Sequence, residues 1–197
     1  MSCEIDWPAT ISKRPARAAL IASVVTWAIL DRRSYVAVGP AATDDADTHR
    51  QLVLTGAAGL FLAALLAPLK QFHIRHTPAA VTATGLCLLW SGIALRQWSI
   101  RILGDRWTPV LCTAATELTL TGPYALVRHP SYLGAWLTQI GIGVTLGSSL
   151  SVASMCTLPL VGYVRRIHAE EHALVATHGP RYVAYAEQRS RLIPRVW

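Results

Sequence analysis

The sequence predicts an all-α fold: a polytopic integral membrane protein of about five transmembrane helices, the last two forming a tight C-terminal helical hairpin. Three observations lead there. Of the 197 residues, 52% are hydrophobic and only 15% charged, where a soluble domain carries nearer a quarter. The apolar residues are gathered into blocks, and two of these, 52–69 and 132–164, contain no charged residue at all. The basic residues stand at the ends of the blocks, as membrane-flanking charge does. The net charge of +7 therefore points to membrane lipids, not to nucleic acid.

Residues 1–15 are polar to mixed, and ISKRPAR before the first apolar run is either a surface-lying segment or a loose terminus. Ala16 to about Leu30 is the first span. Its strictly apolar part is short for a bilayer, so the helix is expected to run on through Asp31 and Arg32 into the interface. The run has no small-residue cleavage site and is followed by further apolar runs, so a removed signal peptide is not expected. Tyr35 to Gln51, with Gly39-Pro40 and three aspartates, reads as a solvent-exposed loop. Leu52 to Leu69 is the cleanest span, about 27 Å of helix, and its small residues from Gly56 to Ala64 offer a surface for close helix contact.

Ala79 to about Leu103 is the third span. Past Leu95, Arg96, Arg101 and Arg106 alternate with Trp98 and Trp107, so the helix is expected to leave the membrane as a basic, aromatic interfacial piece. Val110 to Leu120 reads as a loop with some strand character. The uncharged stretch from Tyr132 to Val164 is too long for one span and breaks at Gly147-Ser148-Ser149. Two helices with a tight turn fit it better. Arg165 to Val175 continues the last helix outward as a charged extension that Gly179-Pro180 ends, and the tail to Trp197 interleaves arginines with aromatics in another interfacial pattern. Five spans put the termini on opposite sides. The basic second half favours the cytoplasm for the C-terminal end, although the loops of the first half point the other way. Cys3, Cys87, Cys112 and Cys156 form no close pair and read as small buried hydrophobes, neither a disulfide framework nor a metal knuckle.

Function is to be sought first in TGPYALVRHPSYLG, residues 121–134. Pro123, Pro130, Gly122 and Gly134 keep it from forming one regular helix. Arg128 and His129 sit in the resulting bend with Tyr124 and Tyr132 on either side. Polar groups beside a membrane-length apolar segment are costly unless they are paired or meet a ligand. Arginine suits a carboxylate and histidine a ligand or a proton, so the pair either lines a shaped pocket or faces phospholipid head groups. Glu170 and Glu171 point about 100° apart on a helix. Glu170 can pair with Arg166 one turn earlier, which leaves Glu171 the freer, although Glu170 can equally turn inward. His168, Glu171 and His172 also spell H-x-x-E-H, a zinc-peptidase pattern, but with no third ligand downstream no metal is expected. No phosphate-binding loop or dinucleotide fingerprint occurs.

Read together, RQWSIRILGDRWT, GPYALVRHPSYLG, the uncharged hairpin, RIHAEEHAL, HGPRYVAYAEQ and RLIP resemble the isoprenylcysteine carboxyl methyltransferase family and its bacterial relatives, which in turn resemble phospholipid methyltransferases. The resemblance covers residues 96–197 as a catalytic region. Residues 1–95 form an N-terminal set of three spans, the third running on to about 103. It implies an integral membrane enzyme, expected in a bacterial inner membrane with its active site facing the cytoplasm, using S-adenosyl-L-methionine. The cofactor is then expected against Tyr124, His129, Tyr132, Leu133 and Gly134 on one wall and Glu170 and Glu171 on the other. Arg96, Trp98, Trp107 and Arg128 are assigned to the acceptor, and Arg128, His129 and Glu171 to the reaction.

The acceptor implied is a lipophilic small molecule entering from the bilayer, most simply the carboxylate of a prenylcysteine-like compound. A lipid amine and a non-catalytic scaffold are the alternatives. No obligate protein partner is inferred. Asp105 departs from the family pattern, which more often has a basic residue there.

Overall fold

The structure is a computed structural model, and it describes Pro8 and residues 14–36, 46–76, 78–104 and 118–197. Six α-helices account for most of these residues: α1 (Arg14–Val36), α2 (Ala46–Leu66), α3 (Pro78–Leu103), α4 (Pro130–Thr145), α5 (Ser149–His178) and α6 (Pro180–Gln188). Short 3-10 turns lie at Lys70–Phe72 and Gly122–Ala125. The all-α class holds, and the described residues contain only two isolated β-bridges. Most of Val110 to Leu120, where strand character is expected, lies outside the described residues, as do Trp107 and Asp105.

The first five helices run alternately in opposite directions and form a bundle. The closest association is between α3 and α4, and small residues make it possible. A Cβ on Gly92 would stand 2.5 Å from the Gly134 carbonyl oxygen, and one on Gly134 would stand 2.6 Å from the Arg96 amide nitrogen. Gly85 and Gly141 repeat the arrangement two turns away on each helix, against Thr145 and the Leu89 backbone. Such approach is the usual way to pack helices where solvent does not drive them together. The contact expected from the small residues of the second span is met by α5: Gly59 lies against the Pro159 ring, and Ser151 Oγ donates to the Ala63 carbonyl at 2.7 Å.

A core of Leu20, Ala63, Leu89, Ile93, Ile142 and Met155 joins α1 to α5. A second cluster, at the other end, joins Ala135, Trp136, Tyr163 and Ile167 to Leu192 of the C-terminal tail. The tight hairpin turn falls where the sequence breaks, at Leu146, Gly147 and Ser148. The Ile74 amide donates to the Gly147 carbonyl at 3.0 Å, which places the 67–76 loop and the hairpin turn together at one end. The ends of α1 and α3, the starts of α2 and α4 and the outer half of α5 share the opposite end.

One boundary differs from expectation. The loop foreseen for Tyr35 to Gln51 is shorter: α1 continues to Val36 and α2 already begins at Ala46. Thr48 and Gln51 in this polar first turn receive Arg166 and Arg165 of α5 at 2.7 and 3.1 Å, a tertiary contact that apolar periodicity does not register. Among the described residues, two helices, α2 from Asp47 and α3, are long and apolar enough to cross a membrane. At 16 residues, α4 rises only about 24 Å, short of a hydrocarbon core of about 30 Å. Both α1 and the outer half of α5 carry charges.

Candidate active site

The bend between the Gly122–Ala125 turn and α4 is held by the C-terminal tail. The Arg128 amide donates to the Ser190 carbonyl at 2.8 Å and the His129 amide to the Arg191 carbonyl at 3.0 Å. Backbone pairing of this kind replaces the helical bonds that Pro130 forbids its predecessors. It aims both side chains at α5.

They meet Glu171 there. Its carboxylate accepts from Arg128 Nη1 at 2.7 Å, from His129 Nε2 at 3.3 Å and from Arg191 Nε at 2.9 Å. Glu171 is thus the most heavily partnered carboxylate of the site, which corrects the expectation that it would be the freer of the pair. Helix α5 turns its Glu171 face inward, and the residue is 8% exposed. Burial pushes its carboxyl pKa up, but the hydrogen bonds from His129 and Arg191 and the charges of His129 and Arg128 outweigh burial and hold it at about 2, against 4.5.

Glu170 is a third exposed, accepts from the Tyr132 hydroxyl at 2.8 Å and faces His129 Nδ1 at 3.9 Å. The expected Glu170–Arg166 pairing gives way to a shared hydroxyl: Arg166 Nε donates to that same Tyr132 oxygen at 3.2 Å. The His129 and Tyr132 rings are stacked 5.8 Å apart. Burial, and after it the nearby Glu170 charge, raises the Tyr124 pKa, and the Tyr124 carbonyl accepts from the Tyr185 hydroxyl of α6 at 2.7 Å. Tyr124, Arg128, His129, Tyr132, Glu170 and Glu171, far apart in sequence, therefore share one site.

The other sequence candidates stand outside this cluster. Gly134 is spent on the crossing with α3, and Leu133 packs with the apolar cluster of Trp136 and Ile167. Arg96 is not interfacial: it is 5% exposed, its Nε donates to Asp31 at 2.6 Å and its Nη1 to the Ser131 hydroxyl at 2.9 Å. The cause is the opposed charge at the end of α1, which draws Arg96 inward. Trp98 is 49% exposed and edges Gly122.

Arg191 and Tyr182 also stand at this cluster, and sequence reasoning missed both. Both lie in stretches already noted, RLIP and HGPRYVAYAEQ, but periodicity marks these only as interfacial. Arg191 also stacks its guanidinium over Trp197, 5.4 Å from the ring centroid, and Trp197 meets the His168 ring edge-on at 6.2 Å. With Glu171 turned toward Arg128, H-x-x-E-H does not form one ligand face. No group of three metal-ligating side chains occurs among the described residues.

Next to the charged cluster lies a half-open chamber of about 230 Å³, lined by all of the first five helices. Its wall is mostly apolar, with Trp27, Leu52, Leu60, Ile142 and Met155, and it is polar at Asp31, Arg96, Gln139 and Tyr163. The Tyr163 hydroxyl donates to Gln139 Oε1 at 3.0 Å, and its ring stands 5.7 Å from that of Tyr132. Tyr132 therefore separates the chamber from His129 and the glutamates.

Residues 84–176, a little under half of the chain, match the model of the isoprenylcysteine carboxyl methyltransferase family. Protein-S-isoprenylcysteine O-methyltransferase B of Arabidopsis thaliana is 30% identical over 115 residues, 57% of this chain and 58% of that protein. A nickel-cobalt-cadmium resistance protein of Alcaligenes xylosoxydans xylosoxydans is 26% identical over 153 residues, 75% of this chain and 66% of that one. The chain thus spans about half to two thirds of these relatives' length. Among solved structures, the eukaryotic intramembrane Ras methyltransferase ICMT superposes with a TM-score of 0.59 at 24% identity, over 75% of this chain and 53% of that one. This similarity establishes a shared fold.

Proposed function

We propose that this chain, which matches the isoprenylcysteine carboxyl methyltransferase family through residues 84–176, is a member of it and a membrane enzyme that methylates a lipophilic carboxylate at the expense of S-adenosylmethionine. One observation carries the reading: the Arg128–His129–Glu171 cluster, closed by contacts of 2.7 to 3.3 Å, abuts a largely apolar chamber open between the helices. A charged site beside an apolar one suits a reaction that joins a water-borne cofactor to a bilayer-borne acceptor.

The donor set fits the cofactor. S-adenosylmethionine supplies a methyl group on a sulfonium, together with an ammonium, a carboxylate and an adenosine. Glu170, the more exposed carboxylate, suits the ammonium or a ribose hydroxyl, while Tyr124 and Tyr132 offer ring faces. Glu171 remains ionised throughout the neutral range and keeps Arg128 and His129 in place. Arg128, with another edge of its guanidinium, is suited to a carboxylate.

An acceptor carboxylate is ionised near neutral pH and needs no base, so His129 serves to position groups and not to take a proton. The chamber walls exclude water and align the acceptor, the main contributions such a transfer asks of a protein. In this reading five helices span the membrane. The short α4 is accommodated inside the bundle, and the charged end faces the cytoplasm of a bacterial cell.

The test is methyl transfer from radiolabelled S-adenosylmethionine to prenyl-thioether carboxylates and to phospholipids, followed by base treatment. Base-labile label released as methanol is expected. Base-stable label on a lipid amine would contradict the carboxylate acceptor.

A further inference from the structure

Two buried polar atoms beside Glu171 have no hydrogen-bond partner in the fold. One is Nε of Arg128, and the other is the hydroxyl of Tyr182. Tyr182 is 3% exposed and lies on the inner face of α6, with its ring 6.1 Å from that of Tyr185. The Arg128 guanidinium is close enough to act as a donor toward its oxygen, which leaves the O–H itself without an acceptor, and the negative charges of Glu171 and Glu170 are close by. A buried donor left unpaired loses its solvation without return, and a native fold seldom carries two together without a use for them.

Their chemistry narrows that use. Arg128 commits Nη1 to Glu171, and its Nε–H can only donate. Burial first, then the nearby Glu171 charge, raises the Tyr182 pKa far above neutrality, so its hydroxyl remains protonated and able to donate. Two neighbouring donors call for one acceptor group that presents two oxygens. Glu171 itself is already met by Arg128, His129 and Arg191.

We propose that Tyr182 contacts the ligand directly, donating its hydroxyl to a carboxylate that Arg128 Nε holds at its other oxygen. The proposal rests on the methyltransferase reading and adds to it a residue contributed by α6. The glycine hinge at Gly179, with φ of +53°, and the Tyr185 hydroxyl bond to the Tyr124 carbonyl set α6 so that this hydroxyl reaches Arg128. The seated carboxylate belongs either to the amino-acid end of the cofactor or to the acceptor.

Tyr182→Phe in the full-length protein, in detergent or nanodiscs, tests the seat by removing one oxygen and little volume. Calorimetry compares S-adenosylhomocysteine with 5′-methylthioadenosine, which lacks the amino-acid carboxylate. Steady-state kinetics then follow N-acetyl-S-geranylcysteine. A cofactor carboxylate predicts about tenfold weaker S-adenosylhomocysteine binding with 5′-methylthioadenosine unchanged. An acceptor carboxylate predicts unchanged binding of both adenosyl compounds and a KM for the acceptor about tenfold higher. Wild-type values throughout overturn the proposal, as does equal weakening of both adenosyl compounds, which would report a packing role. If the wild type itself binds neither compound, the methyltransferase reading is what fails, a result recognisable because it does not involve the variant.

Discussion

Glu171 is the residue on which the site depends. It is ionised despite its burial because three cationic or donating side chains converge on it, and its carboxyl is held at about 2. The folded-state pKa lies below the unfolded value, so the stabilisation is present above about pH 4.5 and is lost as pH falls through about 2. Glu171→Gln is therefore expected to melt at a lower temperature than the wild type near neutral pH, with the two melting curves converging as the pH is lowered toward 2. A difference that stays constant over that range would show that the charge contributes nothing. In the same variant Arg128 and His129 lose their anchor, and cofactor affinity is expected to fall about tenfold or more, measured by calorimetry. RHPSYLG and the Glu170-Glu171 pair were legible in the sequence because prolines, charges and aromatics stand out against apolar runs. That Glu171 and not Glu170 turns inward was not, because the choice depends on the angle at which α5 leaves the bundle. Arg191 was hidden for a related reason: it reaches the site through tail-to-bend backbone pairing, which leaves no periodic trace.

At the scale of the elements, the α3–α4 contact fixes where the bend lies. It was invisible in the sequence as a contact, although Gly85, Gly92, Gly134 and Gly141 were all in view, since small residues do not say which helix they face. Gly92→Ala drives a methyl to 2.5 Å from the Gly134 carbonyl oxygen, and backbone cannot yield as a side chain does. A loss of about 1–3 kcal/mol is expected, read as a lower melting temperature. Gly56→Ala is the control, for its Cβ meets only the Gln139 amide at 3.2 Å, the end of a flexible side chain. It should melt close to the wild type, and equal losses in the two variants would remove the close-packing account of the α3–α4 contact. The helix starts at Pro78 and Pro130 and the turn at Gly147 were readable because proline and glycine punctuate the chain. The start of α2 was not, because its polar first turn is anchored by Arg165 and Arg166 of another helix.

For the whole molecule, alternating helix directions put the hairpin turn at one end and the charged cluster at the other. With five spans, Ser149→Cys should react with a membrane-impermeant maleimide from outside intact cells, and Arg195→Cys only after permeabilisation, both in a background lacking the four native cysteines. Labelling of both from the same side would contradict the topology. The sequence conveyed this arrangement in outline through its uncharged runs, whereas the chamber between the helices, built from residues of five elements, has no signature in any one of them. The central claim is that the Arg128–His129–Glu171 cluster is one wall of a cofactor site. Its most direct test is calorimetric titration of the folded, membrane-reconstituted protein with S-adenosylhomocysteine, wild type beside Glu171→Gln. Saturable single-site binding in the wild type, at least tenfold weaker in the variant, is the expected result. Either no heat of binding at millimolar ligand in the wild type or equal affinity in both proteins would contradict it.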